Sequence, residues 1–285
     1  MKNDDITSEL FVKIKLGDLC EEKDTNSITV VTLTRGRPNL LSRAVASVKS
    51  QNYKGLIQHL ILTDDDDNST NSLKLTKEWN VDWISIPREK KDHRISRVAR
   101  LRNMAIRISK CRWICFLDDD NEWLPNHLTS LVACALRNGL RAVHSFREIY
   151  NQDGSPFLGF FHPWIEDYYE SRNAYQILAL ARVFEPGTNI VRMNVNSRKY
   201  PHWLWTVDMG EWLLDRELLL EVPIHETFKS TELSRRVGED DKLLEDLLTR
   251  GEKIGCTCLP TLRYYLGGFS NTFIGSHNVR SISKV

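Results

Sequence analysis

The sequence predicts an α/β fold with a mostly parallel sheet flanked by helices. Short apolar β-branched runs, helical apolar spacing between them, and acidic turns where the runs end carry that prediction. The chain has 285 residues, the size of one large α/β domain or two modest ones. A chain of this length buries roughly three-quarters of its unfolded surface and needs no disulfide or metal to fold.

Residues 1–27 read as a polar N-terminal extension, with an alternation over Phe11–Leu16 that fits a strand or an appended turn. Ile28–Leu33 is a β-branched run typical of a strand buried on both faces. Thr34-Arg35-Gly36-Arg37-Pro38 ends it, and Pro38 fits the first turn of a helix carrying Leu40, Leu41, Ala44, Val45 and Val48. A second strand, His59–Thr63, runs into Asp64-Asp65-Asp66-Asp67. A helical stretch and a short strand (Val81 to Ile86) follow, then a basic helix over about residues 93–109. The apolar strand Trp113–Leu117 stops at Asp118-Asp119-Asp120-Asn121, and Leu124-Pro125 opens the next helix. Ligands on such sheets bind at the carboxyl ends of the strands, so both acidic clusters are expected to face one crevice. Residues 28–145 form this half. Residues 146–285 are less regular and rich in aromatics, with Trp164, Trp203, Trp205 and Trp212 among them. The two halves are expected to share one body.

Lys and Arg total 39 against 38 Asp and Glu, a net charge of +1. That balance removes the electrostatic case for a nucleic-acid binder. Six cysteines without C-x-x-C spacing read as buried free thiols. The first ten residues are too charged for a signal peptide, and no run reaches the roughly 18 apolar residues of a membrane span. A cytoplasmic protein is the expectation.

Asp118-Asp119-Asp120 fits either a divalent-cation site or a solvated turn capping the next helix. At Asp64 an EF-hand loop would need Gly at its sixth position and Glu at its twelfth, where Ser69 and Leu75 stand. No G-x-G-x-x-G follows the first strand and no P-loop occurs, which argues against an NAD-dependent dehydrogenase or a P-loop ATPase. Arg88 to Arg102 holds seven basic residues against Glu89 and Asp92, either a phosphate-facing surface or a solvated helix face. Glu239-Asp240-Asp241 precedes the stripe Leu243, Leu244, Leu247 and Leu248, so these acids open a helix whose dipole favours their ionised form.

Taken in order, VVTLTRGRPNLLSRAVASVKSQ, HLILTDDDDNS, ARLRNMAIRISKCRWICFLDDDNEWLP and GEDDKLLEDLLTRG resemble the family 2 glycosyltransferases, which have the Rossmann-like GT-A fold and use nucleotide sugars. The resemblance implies nucleotide-sugar contacts at Thr34, Arg35, Arg37, Asp64, Asp65, Arg97 and Asp119. It implies a DxD metal site at Asp118 and Asp120 for Mn²⁺ or Mg²⁺, and a catalytic base at Asp240. The four acids at 64–67 leave the register there open, and Asp241 competes with Asp240. The implied reaction is inverting transfer from a nucleoside-diphosphate sugar, UDP-sugar favoured, to a glycan, lipid-linked or small-molecule acceptor. The aromatic half would bind the acceptor around Trp203-Leu204-Trp205. Phe157–Phe161 offers an alternative membrane contact, and His277 a late metal ligand. A nucleotidyltransferase of related fold would carry a glycine-rich basic signature that Thr34–Pro38 does not match. A non-catalytic binding module is disfavoured by the intact Asp118, Asp120 and Asp240.

Overall fold

A computed structural model describes residues 26–64, 81–87, 93–196, 204, 206–234 and 237–268. Its central strand β1 (Ile28–Thr34) is the expected β-branched run, with six of seven residues buried. Helix α1 (Pro38–Lys49) starts on the proline and buries Leu41, Ala44, Val45 and Val48. Strands β2 (Ile57–Asp64) and β3 (Val81–Ile86) follow, then α2 (Arg94–Ile108) and β4 (Trp113–Phe116). The helix expected between β2 and β3 lies outside the described residues.

Leu124-Pro125 does not open a helix directly. Glu122–Trp123 forms β5 on the last strand and Leu124 N–H donates to the Thr261 carbonyl, so α3 (His127–Asn138) starts two residues past the proline. Gly139 ends α3 in the left-handed region at φ 60°, the usual role of glycine there. The second half contains β6 (Ala142–Tyr150), α4 (Tyr168–Leu180), β7 (Ile190–Val191) and a 3₁₀ turn (Met209–Glu211) leading into β8 (Trp212–Asp215). Helices α5 (Arg216–Glu221), α6 (Ser230–Ser234) and α7 (Glu239–Thr249) precede β9 (Ile254–Tyr265).

One sheet joins these strands in the order β3-β2-β1-β4-β8-β6-β9-β5, with β7 on β6. β1 pairs in parallel with β2 and β4, as β2 does with β3, so the first half is parallel as expected. β8 then enters antiparallel to both β4 and β6. Order reverses between β1 and β4, the place where open α/β sheets bind ligands. The reversed β8 also delivers the turn at its amino end to the carboxyl edge of β4, because Trp113 at the start of β4 pairs with Asp215 at the end of β8.

Each face of the sheet is covered. Ile28, Val30, Trp113 and Leu213 pack against α1 and α3, while Val31, Ile114 and Leu214 pack against α2, α5 and α7. Trp113 and Trp212 are wholly buried, so these rings serve the core; Trp203 and Trp205 lie outside the described residues. His59, His127, His144 and His162 are buried too. Burial pushes them down to about 3, 3, 4 and 3, and the first three bond Thr32, Thr261 and the Ser145 carbonyl. Among the described cysteines, the buried-thiol expectation holds for Cys111 and Cys115 only. Cys134 and Cys256 are half-buried and Cys258 is exposed, because β9 bulges there. No helix among the described residues is long and apolar enough to cross a membrane.

Leu131 on α3 is fully buried against Trp113 and Leu213. Leu131→Ala is expected to lower stability by about 2–5 kcal/mol, read from the midpoint of denaturant unfolding at unchanged slope.

Candidate active site

The carboxyl ends of β1, β2 and β4 set the site. Gly36, at φ 61°, turns the chain after Thr34 so that Arg37 points back over the sheet edge. Thr34 Oγ1 donates to Asp119 Oδ2 at 2.7 Å, and Arg37 Nε donates to the same oxygen at 3.2 Å. Arg37 Nη1 reaches Asp120 Oδ2 at 2.8 Å. Asp119 is fully buried; burial pushes its carboxyl up to about 7 against the pull of Arg37. Arg94 shares this neighbourhood. Burial, then Arg37, lowers its guanidinium, with Arg35 adding to the effect. A set of arginines this close to Asp119 and Asp120 suits an anionic ligand with several charges.

Beside it, at the end of β2, Arg97 Nε donates to Asp64 Oδ1 at 3.0 Å. Its Nη2 bonds the carbonyls of Ile86 and Pro87 at 3.2 and 2.9 Å. Arg97 is therefore buried and ties β2 to β3, rather than standing on a solvated helix face. Asp65 and His277 lie outside the described residues.

The third group comes from α7, and Arg102 fixes it. This buried arginine donates to Asp118 Oδ1 at 2.7 Å with one nitrogen and to Glu239 Oε1 with the other. One guanidinium so joins the end of β4 to the first turn of α7. Within that turn, Asp241 Oδ2 accepts the Gly238 N–H at 2.9 Å, while Asp240 Oδ1 accepts the Asp241 N–H at 3.0 Å. Asp241 is thereby used as a helix cap. Asp240 folds over Gly238, where an added Cβ would stand 2.2 Å from its Oδ1, so a larger residue there would displace the Asp240 carboxylate. Burial, followed by Asp241, Glu239 and Asp208, holds the Asp240 carboxyl well above the usual range.

Asp208 arrives from the turn before β8. Its Oδ1 accepts the Gly210 N–H at 2.8 Å, and its own N–H donates to Glu211 at 2.7 Å. Glu211 is held in turn by Arg147, at 2.5 Å, which also lies 4.6 Å from the Trp164 ring. Burial and the nearby Asp118 push Asp208 up to about 6, and burial pushes Glu211 up to about 7.

Among the described residues, no three His, Cys, Asp or Glu side chains converge as a metal cage. Asp118 and Asp120 offer hard carboxylate oxygens, the number with which Mg²⁺ is often held when phosphates complete its shell. Burial raises Asp119, Asp120 and Asp208, and Arg37 and Arg102 already pair with Asp120 and Asp118, so a cation held there would share these carboxylates with the two arginines.

Arg37 thus joins Asp120 to the Asp119 that Thr34 holds, Arg102 joins Asp118 to the turn carrying Asp240, and Asp64 and Arg97 sit paired at the end of β2. Arg35 is exposed. Arg102, Glu239 and Asp208 were not among the expected site residues. A charged residue between Leu101 and Ala105, on the apolar face of α2, was the available signal for Arg102. For Asp208 it was the D-x-x-E cap ahead of an apolar strand.

The glycosyl transferase family 2 model matches residues 27–198. A similar curated protein is the UDP-Glc:alpha-D-GlcNAc-diphosphoundecaprenol beta-1,3-glucosyltransferase WfgD of Escherichia coli. It is 25% identical over 130 residues, which cover 46% of this chain and 49% of that protein. Among solved structures, S. aureus TarS 1–349 matches with a TM-score of 0.53 at 13% identity, covering 84% of this chain and 60% of that one. The same fragment in complex with UDP-GlcNAc gives 0.53 at 12% identity, covering 84% and 58%. The chain therefore spans about half the length of the curated relative and under two thirds of these TarS chains. The structural likeness establishes the GT-A fold, and the sequence match, which takes in β1 to β7 and the Asp118–Asp120 cluster, shows that the chain belongs to glycosyl transferase family 2.

Proposed function

We propose that the chain transfers a sugar from a nucleoside-diphosphate sugar to an acceptor hydroxyl with inversion at the anomeric carbon. The observation that carries this reading is the Arg102 bridge between Asp118 and Glu239, which sets the Asp240 helix against the donor edge of the sheet. Thr34, Arg37 and the Asp64–Arg97 pair would receive the nucleotide, and Asp118 and Asp120 would hold Mn²⁺ or Mg²⁺. When bound, that cation offsets charge on the departing diphosphate. Arg37 and Arg94 stand beside the same edge and add to that offset.

Asp240 takes the proton of the attacking hydroxyl. Its raised carboxyl makes it, once ionised, a stronger base than an ordinary aspartate. The oxygen then reaches the anomeric carbon from the face opposite the phosphate, through an oxocarbenium-like transition state. Asp241, spent on capping Gly238, is the weaker choice for this role.

UDP is the favoured nucleotide, supported by the UDP-Glc donor in the name of WfgD and the UDP-GlcNAc bound to TarS. The WfgD name also contains a diphosphoundecaprenol acceptor, which supports an acceptor carried on a lipid. Exposed Leu158 and Phe160, with Tyr168 and Tyr169 on α4, add apolar surface of the kind such an acceptor needs.

Three outcomes are expected. Asp240→Asn should lower transfer by roughly 10²–10⁴-fold while nucleotide affinity stays within a few-fold. Activity near that of the wild type would overturn the base assignment. UDP at 100 times its Kd should stabilise the protein by about 2.7 kcal/mol in the presence of Mn²⁺, and Asp120→Ala should lose the metal-dependent part. GDP, dTDP and CMP in the same melting series test the choice of base.

The third concerns pH. Asp208 titrates at about 6 when folded and near its ordinary 3.8 when unfolded, so the folded state holds its proton more tightly. That contribution is present below about pH 4 and is lost as pH rises through about 6. Asp208→Asn should therefore gain stability relative to wild type as pH rises from about 4 to about 7, read by thermal melting.

A further inference from the structure

Away from the crevice, β9 gathers thiols on one side of the molecule. Against β6, Cys256 pairs with His144 and Pro260 with Phe146, so four residues of β9 run past two of β6. The surplus loops out at Thr257–Leu259. In a regular strand, side chains two residues apart stand about 6.6 Å from each other. Here the bulge brings the Sγ atoms of Cys256 and Cys258 to 3.7 Å. Cys258 adopts the left-handed region at φ 56°, an uncommon state for a residue with a Cβ, and is exposed. Its N–H donates to Cys256 Sγ at 3.3 Å, a contact that favours negative charge on that sulfur. Pro260, which has no N–H to give the ladder, closes the bulge. Cys134 on α3 is the third thiol nearby; a Cβ added to Gly255 would lie 3.4 Å from its Sγ.

We propose that Cys256 and Cys258 form a reversible thiol–disulfide site, oxidised by exchange with a low-molecular-weight disulfide such as glutathione disulfide. The Cys258 thiolate attacks one sulfur of the glutathione disulfide, breaking its S–S bond and releasing one glutathione thiolate. The Cys256 thiol then gives up its proton and attacks the Cys258 sulfur, releasing the second glutathione thiolate. Both protein thiol protons finish on the two released glutathiones, the cysteines are oxidised and the glutathione disulfide is reduced. Exposure makes Cys258 the first attacker, and side-chain rotation closes the remaining gap toward the S–S length of about 2.0 Å. Burial raises the Cys256 thiol, so the second step quickens as pH rises.

The test uses the full chain, equilibrated in graded mixtures of reduced and oxidised glutathione, quenched with acid and read by intact mass and peptide mapping. Wild type should lose two hydrogens, with the bond mapped between 256 and 258, and dithiothreitol should restore them. Cys256→Ser should stop at a glutathione adduct on Cys258, Cys258→Ser should form no such bond, and Cys134→Ser should match wild type. Unchanged melting of the reduced variants shows that they fold. A lasting glutathione adduct on wild type, or a bond joining Cys134 to Cys258, would overturn the proposal.

Discussion

A single buried guanidinium holds the candidate site together. Arg102 reaches from α2, lies 5.5 Å from the Phe116 ring, and is shared between Asp118 and Glu239. An unpaired charge in that position would be strongly destabilising, whereas two carboxylates and little water make the pair hold its geometry. The carboxylates gain as much from it. Asp118, Asp208, Glu239 and Asp240 crowd one edge of the sheet, and without a fixed cation between them their repulsion would push α7 away from β4. The spacing between the end of β4 and α7 is thus governed by an arginine that belongs to neither element.

Strand direction explains how so many acids meet. Parallel β1, β2 and β4 present their carboxyl ends, as α/β sheets do, and supply Thr34, Asp64 and Asp118–Asp120. The antiparallel β8 presents its entrance at the same edge and supplies Asp208. The edge receives residues leaving some strands and residues entering another. Arg147 and Glu211 brace that entrance, which keeps the turn before β8 in place.

The parallel half of the fold was legible because its signals are local. Ile28–Leu33 can only be a doubly buried strand, Pro38 marks a helix start, and the acids after β2 and β4 end their strands abruptly. The second half was not, because β8 is four residues long and β9 is interrupted by Pro260 and a bulge, so neither shows clean alternation. Pairings between such strands are fixed by packing across the whole chain. The same division runs through the site. Acid clusters at 118–120 and 239–241 stand out in the sequence, whereas the contact of Arg102 with Glu239 spans 137 positions and leaves no local trace. Arg97 shows the same. Its basic segment stands out in the sequence, whereas its pairing with Asp64 and the carbonyls of Ile86 and Pro87 is visible only in the fold.

Four core histidines have a consequence for how the molecule senses its surroundings. His59, His127, His144 and His162 titrate at about 3 to 4, below the range in which imidazoles ordinarily change charge. Across neutral pH they behave as uncharged hydrogen-bonding parts of the interior, much as asparagine side chains would. The groups moved into that range are carboxyls: Asp119, Asp208 and Glu211 at about 6 to 7. Acids and histidines have in effect exchanged their customary places on the titration curve, and the buried groups moved toward neutrality are carboxyls rather than imidazoles.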